Sequence, residues 1–188
     1  MSQLRPCRWY ALHVRTNYEA TVALRLRDLG LKEYLPYHRQ PAPKRNSGHH
    51  SPKALFPGYV FCNLDLDRGP RLCSVTGVLG IVGYGRRPIT IEDGEIEAVR
   101  RVAECPLHVE GYSCLYTGTP IRLVGGPLAG VSGSIVRING RDKVVVAVPL
   151  LQRSLAVTVP AEWILQGPST TGQGESCVQT GDTTYYRA

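Results

Sequence analysis

Between residues 8 and 14 apolar and polar positions alternate with period two, so this stretch reads as a strand. Tyr10, Leu12 and Val14 point to one side, and Trp9, Ala11 and His13 to the other. The period then changes. Val22, Leu26 and Leu29 recur at helical spacing, Asn17 is placed to cap the helix, Glu19 suits its first turn, and Gly30 supplies the stop. Arg25 and Arg27 fall off the apolar stripe. A second short strand is expected over 34–39, a loop rich in proline and polar residues over 40–52, and a third strand over 55–64. Val60, Cys62 and Leu64 form one face of that third strand and Pro57, Tyr59 and Phe61 the other. Both faces are apolar, so both need covering. A helix accounts for one, and a second helix or a partner protein for the other. Residues 78–84 predict a fourth strand, and 92–104 a second helix with Ile96, Val99 and Ala103 inward and an acidic start. These elements make a small α+β sandwich.

The texture changes after residue 105. Residues 105–117 show no clear period, contain Pro106 and Gly111, and read as a linker. Short β runs follow at 120–124, 134–138, 143–148 and 154–159, with Trp163 and Ile164 close behind. Asn139-Gly140 is the favoured dipeptide of a type I′ hairpin. Five short strands in so few residues suggest an SH3-like barrel. The glycine-rich run from Gly126 to Gly133 lies between two of them, where it permits tight turns and a close chain crossing. Residues 167–188 are rich in Gly, Ser and Thr and read as a flexible tail.

A chain of 188 residues has room for two small domains, and a hydrophobic share of 43% is that of a globular protein. No run is long enough to span a membrane and the first ten residues lack the apolar core of a signal peptide, so a cytoplasmic protein is expected. The net charge of +7 suggests a polyanion nearby. From Tyr34 to Leu64 there is no acidic residue, while Arg39, Lys44, Arg45 and Lys53 all lie there with His38, His49 and His50. A basic loop of this kind gains affinity for nucleic acid through counterion release; the alternative is an ordinary solvated loop.

Candidate chemistry is sparse. The six cysteines include no C-x-x-C pair, and His49-His50 has no acid or cysteine near it in sequence, so neither a zinc ribbon nor another metal site is expected. Cys62 lies in an apolar run as a small core residue, and His13 has no neighbouring acid. The glycines from Gly80 to Gly85 lack the lysine and the strand-to-helix setting of a phosphate loop. No cofactor and no enzymatic activity are expected. The sharpest feature is the aromatic run Leu55-Phe56-Pro57-Gly58-Tyr59-Val60-Phe61, which reads either as plain core or as a docking surface.

Taken in order, Trp9-Tyr10 on the first strand, the run Phe56 to Val60, Gly77-Val78 ahead of an acid-led helix, and the glycine-rich run from Gly126 to Ile138 resemble the NusG family. The resemblance covers about residues 8–165 and implies an N-terminal NGN-like domain (1–106), a flexible linker (107–117), a C-terminal five-stranded KOW barrel (118–166) and a tail (167–188). It implies a transcription elongation factor that binds the clamp helices of the RNA polymerase β′ subunit and suppresses pausing and termination. The polymerase-binding pocket maps onto His13, Phe56, Pro57, Tyr59 and Phe61. Arg15, Arg25, Lys44, Arg45 and Lys53 map near upstream or non-template DNA, with a solvated basic surface as the alternative for the two helix-side arginines. The KOW barrel implies contact with a small-subunit ribosomal protein or with Rho through Leu150, Leu151, Gln152 and Arg153. Here the chain keeps the arginine but carries Leu151 and Gln152 where the housekeeping pattern has an aromatic and a glycine, which is more similar to specialised, operon-selective paralogues. A monomer, cytoplasmic and nucleoid-associated during transcription, is implied. The competing reading is a KOW-type RNA-binding or ribosome-associated protein, which leaves the N-terminal pattern unexplained.

Overall fold

The structure, a computed structural model, describes residues 7–37, 54–66, 72–84, 87–112, 115–138, 141–148, 151, 153–166, 176–178 and 185–186. They fall into two compact units, one drawn from 1–35, 56–96 and 182–188, the other from 36–55 and 97–181.

The first unit is built on an antiparallel sheet. Strand β1 (Arg8–Val14) is followed by helix α1 (Glu19–Asp28), β2 (Lys32–Tyr34), β3 (Tyr59–Leu64), β4 (Val78–Tyr84) and β5 (Arg87–Pro88). The order across the sheet is β4-β1-β3-β2, with β5 folded back on β4. Leu12 pairs with Val60 and His13 with Tyr59, so β1 and β3 share their faces residue by residue. Both faces of β3 are buried, as its uniformly apolar sequence requires.

Several boundaries differ from the sequence pattern. Tyr18, not Asn17, stands at the cap of α1 and makes no side-chain cap bond; Asn17 instead takes a left-handed φ of 66°, a conformation asparagine tolerates. Val22 and Leu26 are buried as expected, but Leu29 lies past the last turn and is exposed. The helix stops at Gly30, whose amide donates to the Arg27 carbonyl while that of Leu31 donates to Leu26. Strand β2 comes earlier than 34–39, because Pro36 lacks the amide a ladder needs; Tyr37 makes only an isolated bridge to Ala54. Strand β3 starts at Tyr59 rather than 55, since Pro57 and Gly58 turn the chain first. The expected loop over 40–52 lies outside the described residues.

Helix α2 (Asp93–Glu104) buries Ile96, Val99, Val102 and Ala103 and carries Asp93 and Glu95 in its first turn, close to the sequence expectation. The described chain is therefore α+β, with a sheet and two helices in the N-terminal part.

The second unit is β-rich. Its strands are β6 (Val109–Tyr112), β7 (Leu115–Thr117), β8 (Thr119–Leu123), β9 (Ser132–Ile138), β10 (Arg141–Val148), β11 (Arg153–Val157), β12 (Ile164–Gln166) and β13 (Ser176–Val178). The main sheet runs β12-β8-β9-β10-β11-β6, and β13 pairs with β7. Val136, Val145 and Ala156 form a buried cluster at its centre. Ile138 pairs with Arg141, a two-residue connection at the Asn-Gly position. The stretch read as a linker differs: its residues 109–112 form β6, paired with β11 from Val109 opposite Val157 to Tyr112 opposite Ser154. Lys143, whose side chain is only 8% exposed, reaches Glu110 of β6 at 2.7 Å, and His108 contacts the other oxygen of that carboxylate at 3.2 Å. A charged pair distant in sequence thus holds a strand too short to show a period. The tail also differs from its reading in the two segments that are described: β13, and β14 (Tyr185–Tyr186), which pairs with Val82 and Ile81 of β4 in the first unit.

Candidate functional site

The aromatic run forms the corner where β3 begins beside the end of β1. Phe56 ends one chain direction, Pro57 and Gly58 make the turn, and the Tyr59 amide donates to the Phe56 carbonyl at 3.1 Å. Gly58 has a φ of +85°, a backbone state that costs an L side chain about 1–2 kcal/mol. Its carbonyl accepts from the Val14 amide at 2.9 Å, and its own amide donates to Oε1 of Glu19 at 2.8 Å. Both backbone groups of the turn glycine are therefore used, one by β1 and one by the first residue of α1.

Above this turn the rings of His13 and Tyr59 lie 5.6 Å apart at 42°, as their cross-strand pairing dictates. Next to them Phe56 and Phe61, the two phenylalanines of the chain, meet edge to face at 5.6 Å, and Tyr34 stacks on Phe61 at 6.2 Å. The structure thus brings all five sequence-nominated residues together, at different degrees of burial. Pro57 is exposed and His13 half-buried; Tyr59 is 6% exposed; Phe56 and Phe61 are fully buried. The phenylalanines and Tyr59 are packed inside, and what the surface presents here is Pro57 and part of His13.

Of the residues nominated near nucleic acid, Arg15 and Arg25 are exposed on the first unit, one just after β1 and the other in the last turn of α1. Lys44, Arg45 and Lys53 lie outside the described residues. In the second unit Leu151 is 3% exposed, hence turned inward rather than presented, and Arg153 is half-buried at the head of β11, opposite Val148. Leu150 and Gln152 lie outside the described residues.

Two buried thiols, Cys62 and Cys105, are held in the protonated form. Burial, and then the negative charge of Glu33, push Cys62 up to about 12, so it stays protonated at neutral pH. Burial also raises Cys105, partly offset by a backbone hydrogen bond from Leu107. Among the described residues no three His, Cys, Asp or Glu gather as metal ligands, and no helix is long and apolar enough to cross a membrane.

Sequence reasoning missed the long reach of Glu19. An acid in the first turn of a helix is ordinary on dipole grounds alone. Its bond to an amide 39 residues away leaves no local signal.

In the second unit the glycine-rich run forms a short turn over Gly126–Leu128, with Gly126 at a φ of +65°. A Cβ there would stand 2.3 Å from the Trp163 ring, so the indole lies directly on the glycine backbone. The Val124 amide donates to the Trp163 carbonyl at 2.8 Å, fixing the same contact.

The described residues thus form an α+β part with an aromatic corner and a β-rich part that follows it. The family model described as Transcription termination factor nusG matches residues 7–100, and the chain belongs to the NusG family. It is similar to the Transcription termination/antitermination protein NusG of Thermus thermophilus, 28% identical over 173 residues that cover 79% of this chain and 92% of that protein. The protein of the same name from Borreliella burgdorferi is 27% identical over 177 residues, covering 83% and 96%. Among solved structures, Thermotoga maritima NusG superposes with a TM-score of 0.53 at 22% identity, covering 85% of this chain and 97% of that one, a likeness of fold.

Proposed function

We infer that this chain is a transcription termination/antitermination factor that acts during elongation by docking on the clamp helices of RNA polymerase β′ through the corner formed by His13, Pro57 and Tyr59. The observation that carries this is the aromatic corner itself, within the segment that matches the family: exposed Pro57 and half-buried His13 beside the packed rings of Tyr59, Phe56 and Phe61. Binding energy concentrates in rigid, desolvated aromatic anchors of this kind. Occupying the clamp shifts the polymerase toward its productive state and suppresses pausing, a change of population and not of covalent chemistry.

Arg15 and Arg25 then face upstream or non-template DNA; Lys44, Arg45 and Lys53, outside the described residues, are assigned to nucleic acid by the family resemblance and their charge alone. The β-rich unit acts as a KOW barrel; its antiparallel strand order and the Trp163 contact with Gly126 support this. It recruits a second partner, a small-subunit ribosomal protein or Rho, at high local concentration. The inward Leu151 at the position of the housekeeping aromatic favours an operon-selective paralogue whose barrel has a partner surface of its own. The protein works as a monomer in the cytoplasm, with the nucleoid during transcription.

Two variants test the docking corner. Tyr59→Ala is expected to weaken polymerase binding by roughly thirtyfold, the equivalent of ~2 kcal/mol. Pro57→Asp, which changes an exposed residue and spares the packed rings, is expected to do the same with unchanged thermal stability. Normal affinity and normal antipausing by Pro57→Asp would move the docking site elsewhere.

A further inference from the structure

We propose that Glu19 is a positioning residue for the docking corner: its carboxylate locks the Pro57-Gly58 turn to the start of α1, and through that turn sets Pro57 beside the strand-paired His13 and Tyr59. The inference rests on the docking reading above and adds the residue that preorganises it.

The geometry is specific. Glu19 is the first residue of α1, yet it is buried, which is uncommon for a carboxylate without a dedicated partner. The partner is the Gly58 amide, at 2.8 Å. Gly58 sits in a left-handed turn, so its amide points away from the β1–β3 ladder and has no strand neighbour to bond. A partly buried amide left without an acceptor is costly, and a carboxylate acceptor makes a stronger bond than a neutral one. The other side of the turn is held to β1 by the bond from Val14 to the Gly58 carbonyl. With both bonds in place the turn cannot rotate about Gly58. With the Glu19 bond removed the turn keeps its backbone bonds from Val14 and within Phe56–Tyr59, and Pro57 loses the tether that fixes it beside the His13–Tyr59 pair. A site that must be rigid before its partner arrives gains affinity from this kind of second tether.

The lock makes a graded demand on side-chain chemistry. Glu19→Gln keeps a carbonyl oxygen at the same reach. Glu19→Asp keeps the charge but falls about 1.5 Å short. Glu19→Ala has neither. A role limited to helix-dipole charge would rank Asp above Gln; the lock ranks Gln above Asp.

The test uses the full-length, isotopically labelled protein and a two-helix peptide of the polymerase clamp. Amide hydrogen exchange at Gly58, with Leu12 as the strand control, reports the lock without any partner. Titration with the peptide reports docking. The expected result is fast Gly58 exchange in Glu19→Ala and Glu19→Asp, near-wild-type exchange in Glu19→Gln, unchanged Leu12 exchange, and peptide affinity reduced about tenfold only in the first two variants. Unchanged Gly58 exchange in Glu19→Ala overturns the lock. A released Gly58 with unchanged affinity overturns its positioning role and leaves the docking reading standing. Failure of the wild-type protein to bind the peptide marks the docking reading as the one that failed, and the positioning role falls with it. If Glu19→Ala does not fold, the Gln and Asp variants decide the same question by their order.

Discussion

Gly58 carries two demands at once: a left-handed backbone and two hydrogen bonds that fix the turn. A Cβ at this position would meet only the Val14 carbonyl at 3.8 Å, so space is not the obstacle. Gly58→Ala is therefore expected to cost about 1–2 kcal/mol in urea denaturation through backbone strain alone, with the fold retained. A loss near zero would mean that the turn has another accessible conformation. The thiols give a second residue-scale expectation. Cys7 is exposed, whereas Cys62 is buried and held protonated. Alkylation of the native protein near neutral pH, read by peptide mass spectrometry, is expected to label Cys7 promptly and Cys62 only on unfolding. Because the folded thiol titrates at about 12 against an ordinary 9.0, Cys62 favours the folded state below pH 9, and that contribution is lost as pH rises from there toward 12. Alkaline unfolding measured for Cys62→Ala is expected to show a shallower pH slope than the wild type.

The elements show what local pattern carries and what it does not. Strand β1, strand β4 and helix α2 follow directly from their apolar periodicity, because each presents a continuous face to a core. The hairpin of β9 and β10 was legible from its Asn-Gly dipeptide and flanking β-branched residues. Strand β6 was not legible: Val109, Glu110, Gly111 and Tyr112 contain no period, and what holds them is pairing with β11 and the ion pair from Lys143. That pair makes an asymmetric prediction. Glu110→Ala deprives a buried ammonium of its carboxylate and is expected to destabilise the second unit by roughly 2 kcal/mol or more, whereas Lys143→Met, which leaves a partly solvated carboxylate, is expected to cost under about 1 kcal/mol. Equal losses in thermal or chemical unfolding would show that the pair does not secure β6. The aromatic run was conspicuous in sequence, but its division into packed rings and an exposed Pro57 needed the register of β1 against β3. Glu19 was hidden for the same reason, since its partner lies in another element.

For the whole molecule, membership of the NusG family places the chain among transcription termination/antitermination factors, built here from an α+β part and a β-rich part. The most direct check of this account is a backbone NMR titration of the labelled full-length protein with the β′ clamp-helix fragment. The account predicts shifts centred on His13 and on Phe56 to Phe61, with the amides of β9 and β10 unmoved. A folded protein whose signals at the corner stay fixed at millimolar fragment would contradict it and favour an RNA-binding role for the β-rich unit.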